Sequence, residues 1–85
     1  MLVEITLDAR GMAPPEPFDQ ATAVLGQLQP GQYLRMLHRR APYPLFEFCR
    51  GLSLAYAVQE EASAACEIII YFPADECALK EEGVL

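Results

Sequence analysis

One short stretch gathers side chains able to do chemistry: His38-Arg39-Arg40, the single histidine of the chain beside two guanidinium groups. An earlier stretch adds Asp8, Arg10 and Glu16. Guanidinium groups hold a carboxylate or phosphate through charge-assisted hydrogen bonds, and a histidine beside them can move a proton near neutral pH. Each residue also has a plainer reading. Arg39 and Arg40 read equally as solvated loop charges, or as partners of Glu16 or the acidic tail; surface pairs of that kind contribute under about 1 kcal/mol. Asp8 and Arg10 read equally as a local turn contact. His38 continues the face of Leu34 and Met36, so it reads first as a hydrogen-bonded histidine fixing its loop and second as a ligand or base. A metal would have to combine His38 with Asp8, Glu16 or a cysteine. The sequence has no metal signature, no Gly-rich phosphate loop and no spacing that pairs a nucleophile with a base. It assigns no catalytic residue, no metal and no cofactor.

The cysteines are Cys49, Cys66 and Cys77, an odd number without C-x-x-C spacing. A disulfide framework needs pairs and a structural zinc site needs four close ligands, so free thiols in a reducing cytoplasm are the better reading. Cys49 falls on an apolar stripe and reads as a buried, inert small hydrophobe. Cys66 and Cys77 are the two placed where they can be exposed and oxidised.

The elements that must position these groups come from periodicity. Val3, Ile5 and Leu7 alternate with Glu4 and Thr6, as in a half-buried strand. After the turn Asp8–Gly11, a proline-rich run reaches Pro17. Then Phe18, Ala21, Val24, Leu25 and Leu28 mark one face of a helix that Pro30-Gly31 stops. Gln32–His38 reads as a second strand. His38 to Pro44 is a loop fixed by two prolines. A short helix follows, carrying Leu45, Phe48, Cys49 and Leu52 on one face, with Gly51 as its stop. Leu54–Glu60 and Glu67–Phe72 are two further strands, and Asp75–Glu82 reads as one or two helical turns capped by Asp75 and ended by Gly83. The order β-α-β-α-β-β implies an α/β (α+β) two-layer sandwich, with a mixed four-stranded sheet and two helices on one face. The other sheet face, with Tyr33, Arg35, Ile69 and Tyr71, is more apolar than solvent contact requires. It reads as solvated, as a docking face or as a homodimer face.

With its 85 residues the chain has room for one small core, 53% hydrophobic and 21% charged, a globular balance. A domain of this size buries only about 60–65% of its unfolded surface, so its stability is modest and a dimer contact would supplement it. Twelve acids against six bases give a net charge of −6, which argues against nucleic acid and against anionic membrane surfaces. No apolar run approaches the ~18 residues of a membrane span. An acid at Glu4, inside the first apolar run, reads as the absence of a signal peptide. The charge is unevenly spread: residues 10–50 hold five bases and three acids, and residues 51–85 hold one base and seven acids.

The run Leu7-Asp8-Ala9-Arg10-Gly11-Met12-Ala13-Pro14-Pro15-Glu16-Pro17 resembles the signature of the TusA/SirA-like sulfur-carrier superfamily, and Leu28-Gln29-Pro30-Gly31 resembles the turn before its second strand. The P-P-E-P run and the loop His38–Leu45 are more similar to an uncharacterised bacterial and archaeal branch, domain-of-unknown-function family 2249. Some members of that branch are fused or neighboured to hemerythrin-like domains. The resemblance covers about residues 2 to 72 and implies the same βαβαββ fold. The carrier cysteine of the superfamily falls on Pro14, which has neither a sulfur nor an N–H, so sulfur relay by that mechanism is not implied.

The reading that follows is a TusA/SirA-like domain over residues 1–72 and an acidic C-terminal tail over 73–85. The expected function is a small non-enzymatic binding or regulatory domain. It would recognise a small anion or a partner protein where the first two strands end, through Asp8, Arg10, Glu16, His38, Arg39 and Arg40. Open α/β sheets bind ligands at such an edge. The alternative is a redox or sulfur-relay accessory protein that uses one of the non-motif cysteines.

Overall fold

The computed structural model describes residues 2–39, 42–60 and 66–85. Strand β1 (Val3–Asp8) leads through helix α1 (Glu16–Leu25) to β2 (Gln32–His38), and helix α2 (Tyr43–Gly51) leads to β3 (Ala55–Glu60) and β4 (Cys66–Tyr71). A single 3-10 turn, Pro73–Asp75, then introduces a short helix α3 (Glu76–Glu81). The sheet order is β1-β2-β4-β3, with β1 parallel to β2 and β4 antiparallel to both neighbours. The mixed sheet and its helical layer make a two-layer α/β sandwich. No helix among the described residues is long and apolar enough to cross a membrane.

Alternation along the strands divides the apolar side chains between two faces. Ile5, Leu7, Leu34, Met36, Ile68 and Ile70 meet Ala21 and Leu25 of α1 and Leu45, Phe46 and Cys49 of α2 in the main core. Fully buried aliphatic side chains such as Leu34 each contribute about 1.5–3 kcal/mol by leaving water. The opposite face is not left open. Tyr33, Ile69 and Tyr71 form a second, smaller core with Leu79 of α3, and Leu2, Ala55, Val84 and Leu85 pack at its edge.

The helix ends differ from the expectation in instructive ways. α1 stops at Leu25, before the Pro30-Gly31 turn: Gly26 weakens the helix, and Gln27 and Leu28 N–H tighten onto Val24 and Leu25 carbonyls. α2 ends at Gly51, where the stop was expected, but glycine does not supply the left-handed cap. The left-handed residue is Ser53 (φ 58°), with Ser53 N–H on Arg50 O and Leu54 N–H on Cys49 O, a Schellman motif. α3 ends the same way at the expected Gly83 (φ 79°), where Gly83 and Val84 N–H reach Lys80 and Leu79 carbonyls. Asp75 stands at the N-cap of α3 but makes no side-chain cap there. Its carboxylate instead accepts the Gly31 N–H at 2.9 Å, fastening the C-terminal segment to the turn before β2. Cys66 also departs from expectation: it opens the central strand β4 and is buried in the main core, while Cys77 on α3 is exposed.

Candidate functional site

The site lies where β1 and β2 run out. The parallel pairing carries through to Asp8 opposite Leu37, so both strands deliver their following loops to the same edge. Ala9 N–H bonds to Leu37 O at 2.8 Å and Met12 N–H returns to Ala9 O at 3.2 Å, which turns the first loop back over the sheet. The starts of α1 and α2 then stand side by side above the ends of the strands.

Between them is a groove of about 390 Å³. Pro14, Pro15 and Pro17 with Phe18 form one wall, and Pro42 and Pro44 with Leu45 form the other. Met36 and His38 of β2 supply the floor. Pyrrolidine rings have almost no rotamer freedom, so these walls keep their shape without packing partners on every side. Phe18 remains 38% exposed although it stands on the expected buried stripe, because the first turn of α1 overhangs the groove. Its ring sits edge-on to Phe48 of α2, with centroids 6.2 Å apart, which ties the two walls together.

The prolines also remove donors. Pro17 and Pro44, in the first turns of their helices, have no N–H. Glu16 and Asp19 N–H are spent on Ala13 and Pro15 carbonyls, and Leu45 and Phe46 N–H on Pro42 O. A helix N-terminus holds an anion through free N–H groups, and these two starts keep few.

Of the five described residues among the six singled out by sequence, His38 is the one that lines the groove, and it is the sole titratable side chain among the described lining residues. Asp8 and Arg10 are brought together: Arg10 Nε and Nη2 donate to Asp8 Oδ1 and Oδ2 at 2.9 and 2.8 Å, and Arg10 N–H adds a 3.1 Å bond to Oδ1. Those bonds pull the exposed Asp8 carboxyl down to about 2. The local turn contact is therefore the arrangement formed, and a good part of the Arg10 donor fork is committed to it. Glu16 is exposed on the first turn of α1, and Arg39 is exposed just beyond β2. Arg40 lies outside the described residues.

What sequence reading missed is the groove itself. Its signal was two proline clusters, Pro14-Pro15-Glu16-Pro17 and Pro42-Tyr43-Pro44, placed after two strands that pair in parallel. Their φ restriction was legible, but not that the two clusters line one groove.

The thiols are unremarkable in this setting. Cys49 is fully buried in the main core, and burial pushes its thiol up to about 11. Exposed Cys77 is on α3 and does not line the groove. Among the described residues, no three His, Cys, Asp or Glu side chains converge as a metal-binding group.

Comparison with known proteins places this geometry in a family. Residues 6–71 match the model of an uncharacterized conserved protein family, DUF2249, and the chain belongs to that family. The match takes in the end of β1, both loops, both groove walls and the other three strands, and it ends before the 3-10 turn and α3. No curated protein and no solved structure matches the chain.

Proposed function

We propose that this member of the uncharacterised conserved family is a small non-enzymatic binding module, and that its ligand seats an apolar body in the proline-walled groove while an anionic group rests at the rim. The observation that carries the reading is the groove's composition: rigid apolar walls, one histidine in the floor and Arg39 just beyond the end of β2. A volume of about 390 Å³ lies at the small end of the ~300–1,000 Å³ range of small-ligand pockets, which suits one ring system or one bulky side chain of a partner. The donor-poor helix starts favour this form over recognition of a bare anion. A net charge of −6 supports a single small anion at the rim in preference to a polyanion.

The chain's strand and helix order is the feature that supports kinship with TusA/SirA-like carriers. Under that kinship the carrier position, Pro14, has become part of an apolar wall, so the edge binds a ligand in place of bearing a persulfide. The redox or sulfur-relay alternative would fall to Cys77, the exposed thiol. A Cys77 thiol that titrates clearly below the ordinary range, or a persulfide trapped on it, would favour that alternative. Free cysteines support a reducing compartment such as the cytoplasm.

Anilinonaphthalene sulfonate, an apolar ring system bearing one anion, is a suitable probe. Phe18→Ala should weaken its binding about tenfold, equivalent to ~1.4 kcal/mol. The double variant Arg39→Ala/Arg40→Ala should weaken it about threefold and leave the fold intact, as read by circular dichroism. Unchanged affinity in Phe18→Ala, or competition by inorganic phosphate at equal strength, would overturn the reading.

A further inference from the structure

The sheet has two edges, and they are not alike. β1 carries the acids Glu4 and Asp8 among its six residues, and a charged edge resists added strands. β3 reads Ala-Tyr-Ala-Val-Gln-Glu, with no proline, no lysine and its one charge at the last position. It pairs residue for residue with β4 from Ala55 to Glu60, so no bulge turns its outer side away. Among the described residues, no hydrogen bond reaches that outer side. About half of the β3 backbone N–H and C=O groups face that way, in the spacing that a further strand would match.

A cleft of about 250 Å³ opens beside this edge. Ala57 is small and stands opposite Ile69, which leaves the room. Val84 and Leu85 add apolar walls, and the polar lining is Gln59 and Glu67, which are cross-strand neighbours. The volume falls below the ~300 Å³ at which small-ligand pockets begin, so it suits a single side chain. Apolar walls with a carboxylate among them fit a long basic side chain, whose methylene stem packs while its head meets the acid. Glu67 has charge to offer. Arg35 stands 3.7 Å from it but also serves Glu4 at 3.1 Å, so two carboxylates share one guanidinium. The net charge of −6 draws a basic segment in the same direction. On the opposite face of β3, Val58 is 39% exposed and offers an apolar neighbour.

We propose that the outer edge of β3 is a docking site for an extended segment of a partner protein in which basic and apolar residues alternate. The segment adds a fifth strand. Its backbone bonds to β3, a Lys or Arg enters the cleft toward Glu67, and the next side chain lies against Val58. A second copy of β3 is a poor occupant, because that strand has no cation to place beside Glu67. The proposal is independent of the groove, since no residue lines both.

The probe is a fluorescein-labelled octapeptide of alternating lysine and valine, titrated against the full chain by anisotropy. It should bind at least about tenfold more tightly than a peptide of alternating glutamate and valine. Glu67→Gln should weaken it about fivefold and keep the parental circular dichroism. Two further peptides separate backbone pairing from charge, one N-methylated on every lysine and the other on every valine. One of them should lose binding and the other keep it, because alternate N–H groups of a strand face opposite sides. Amide shifts on binding should fall on Ala57, Val58 and Gln59. Equal binding of the glutamate peptide, no effect of Glu67→Gln, binding of both methylated peptides, or shifts away from β3 would each overturn the proposal. A doubled mass in sedimentation of the chain alone, abolished by Val58→Asp, would make a second copy the occupant and overturn it too.

Discussion

At the groove, apolar surface is created by rings that the backbone holds in place; at the opposite sheet face, it is created by strand side chains and then covered by another part of the chain. Pro14, Pro15, Pro17, Pro42 and Pro44 need no cover to stay where they are, because their φ angles are locked. Tyr33, Ile69 and Tyr71 depend on Leu79 and its neighbours to leave water. The difference teaches how a chain of 85 residues can keep one apolar surface open and close another. The open surface is walled by residues that lose little entropy in being held, and the closed one is shut by the C-terminal segment through Leu79, Val84 and Leu85.

The sharpest way to break the comparison is to weaken an anchor on each side of the sheet. Leu34 and Leu79 are both fully buried. In the main core Leu34→Ala should cost about 3–5 kcal/mol, the full transfer and cavity cost, because β2 is central and cannot let go. Leu79→Ala should cost less, about 2 kcal/mol, because its cluster is smaller and the site can collapse more readily. Urea titration of both variants checks this, and equal losses would show that the two clusters weigh equally in the fold.

A smaller effect concerns the hinge between the two regions. Gly31 stands at φ 88°, where a side chain is strained whatever space surrounds it. Its carbonyl accepts the Val3 N–H at 2.9 Å while its own N–H serves Asp75. Gly31→Ala should therefore cost about 1 kcal/mol and loosen the C-terminal segment that Asp75 fastens there. Faster hydrogen exchange at the Leu79 and Val84 amides, with β4 amides unchanged, is the expected readout.

The smallest effect lies at the groove edge. The Asp8 carboxyl is held at about 2 by the Arg10 hydrogen bonds, against an ordinary value of 3.8. A carboxyl depressed on folding adds stability that is present above its ordinary value and is lost as pH falls through the folded one. Asp8→Asn should flatten that part of the acid limb, between pH 3.8 and about 2, with a slight change at neutral pH because the pair is exposed. An acid-denaturation series on the variant and its parent tests this.

Much of the scaffold is legible in the residues themselves. Leu34 and Met36 alternate with Tyr33 and Arg35, and β2 has the bounds that this pattern implies. The fourth strand and the αL stop at Gly83 are similarly plain. Phe46 is harder. It is buried and stacked on Tyr56, with centroids 4.2 Å apart and planes 4° from parallel, but it lies off the stripe of Leu45, Phe48 and Cys49. A nine-residue helix with three aromatics has no single unambiguous face. Leu79 is harder still, since one leucine among acids gives no period at all. The site was legible as a place, from strand direction and the turns, and illegible as a chemistry. Charged residues advertise themselves in a sequence, whereas Asp8 and Arg10 largely satisfy each other and the proline rings that shape the groove show only as loop formers.

The groove's status as the ligand site is the central claim, and amide-shift mapping by NMR tests it most directly. Titrating the full chain with anilinonaphthalene sulfonate should move the amides of Phe18, Met36, His38 and Leu45 in a saturable way, and leave those of Ile69 and Leu79 in place. Shifts concentrated on Ile69, Tyr71 and Leu79, or no saturable shifts around the prolines, would contradict it.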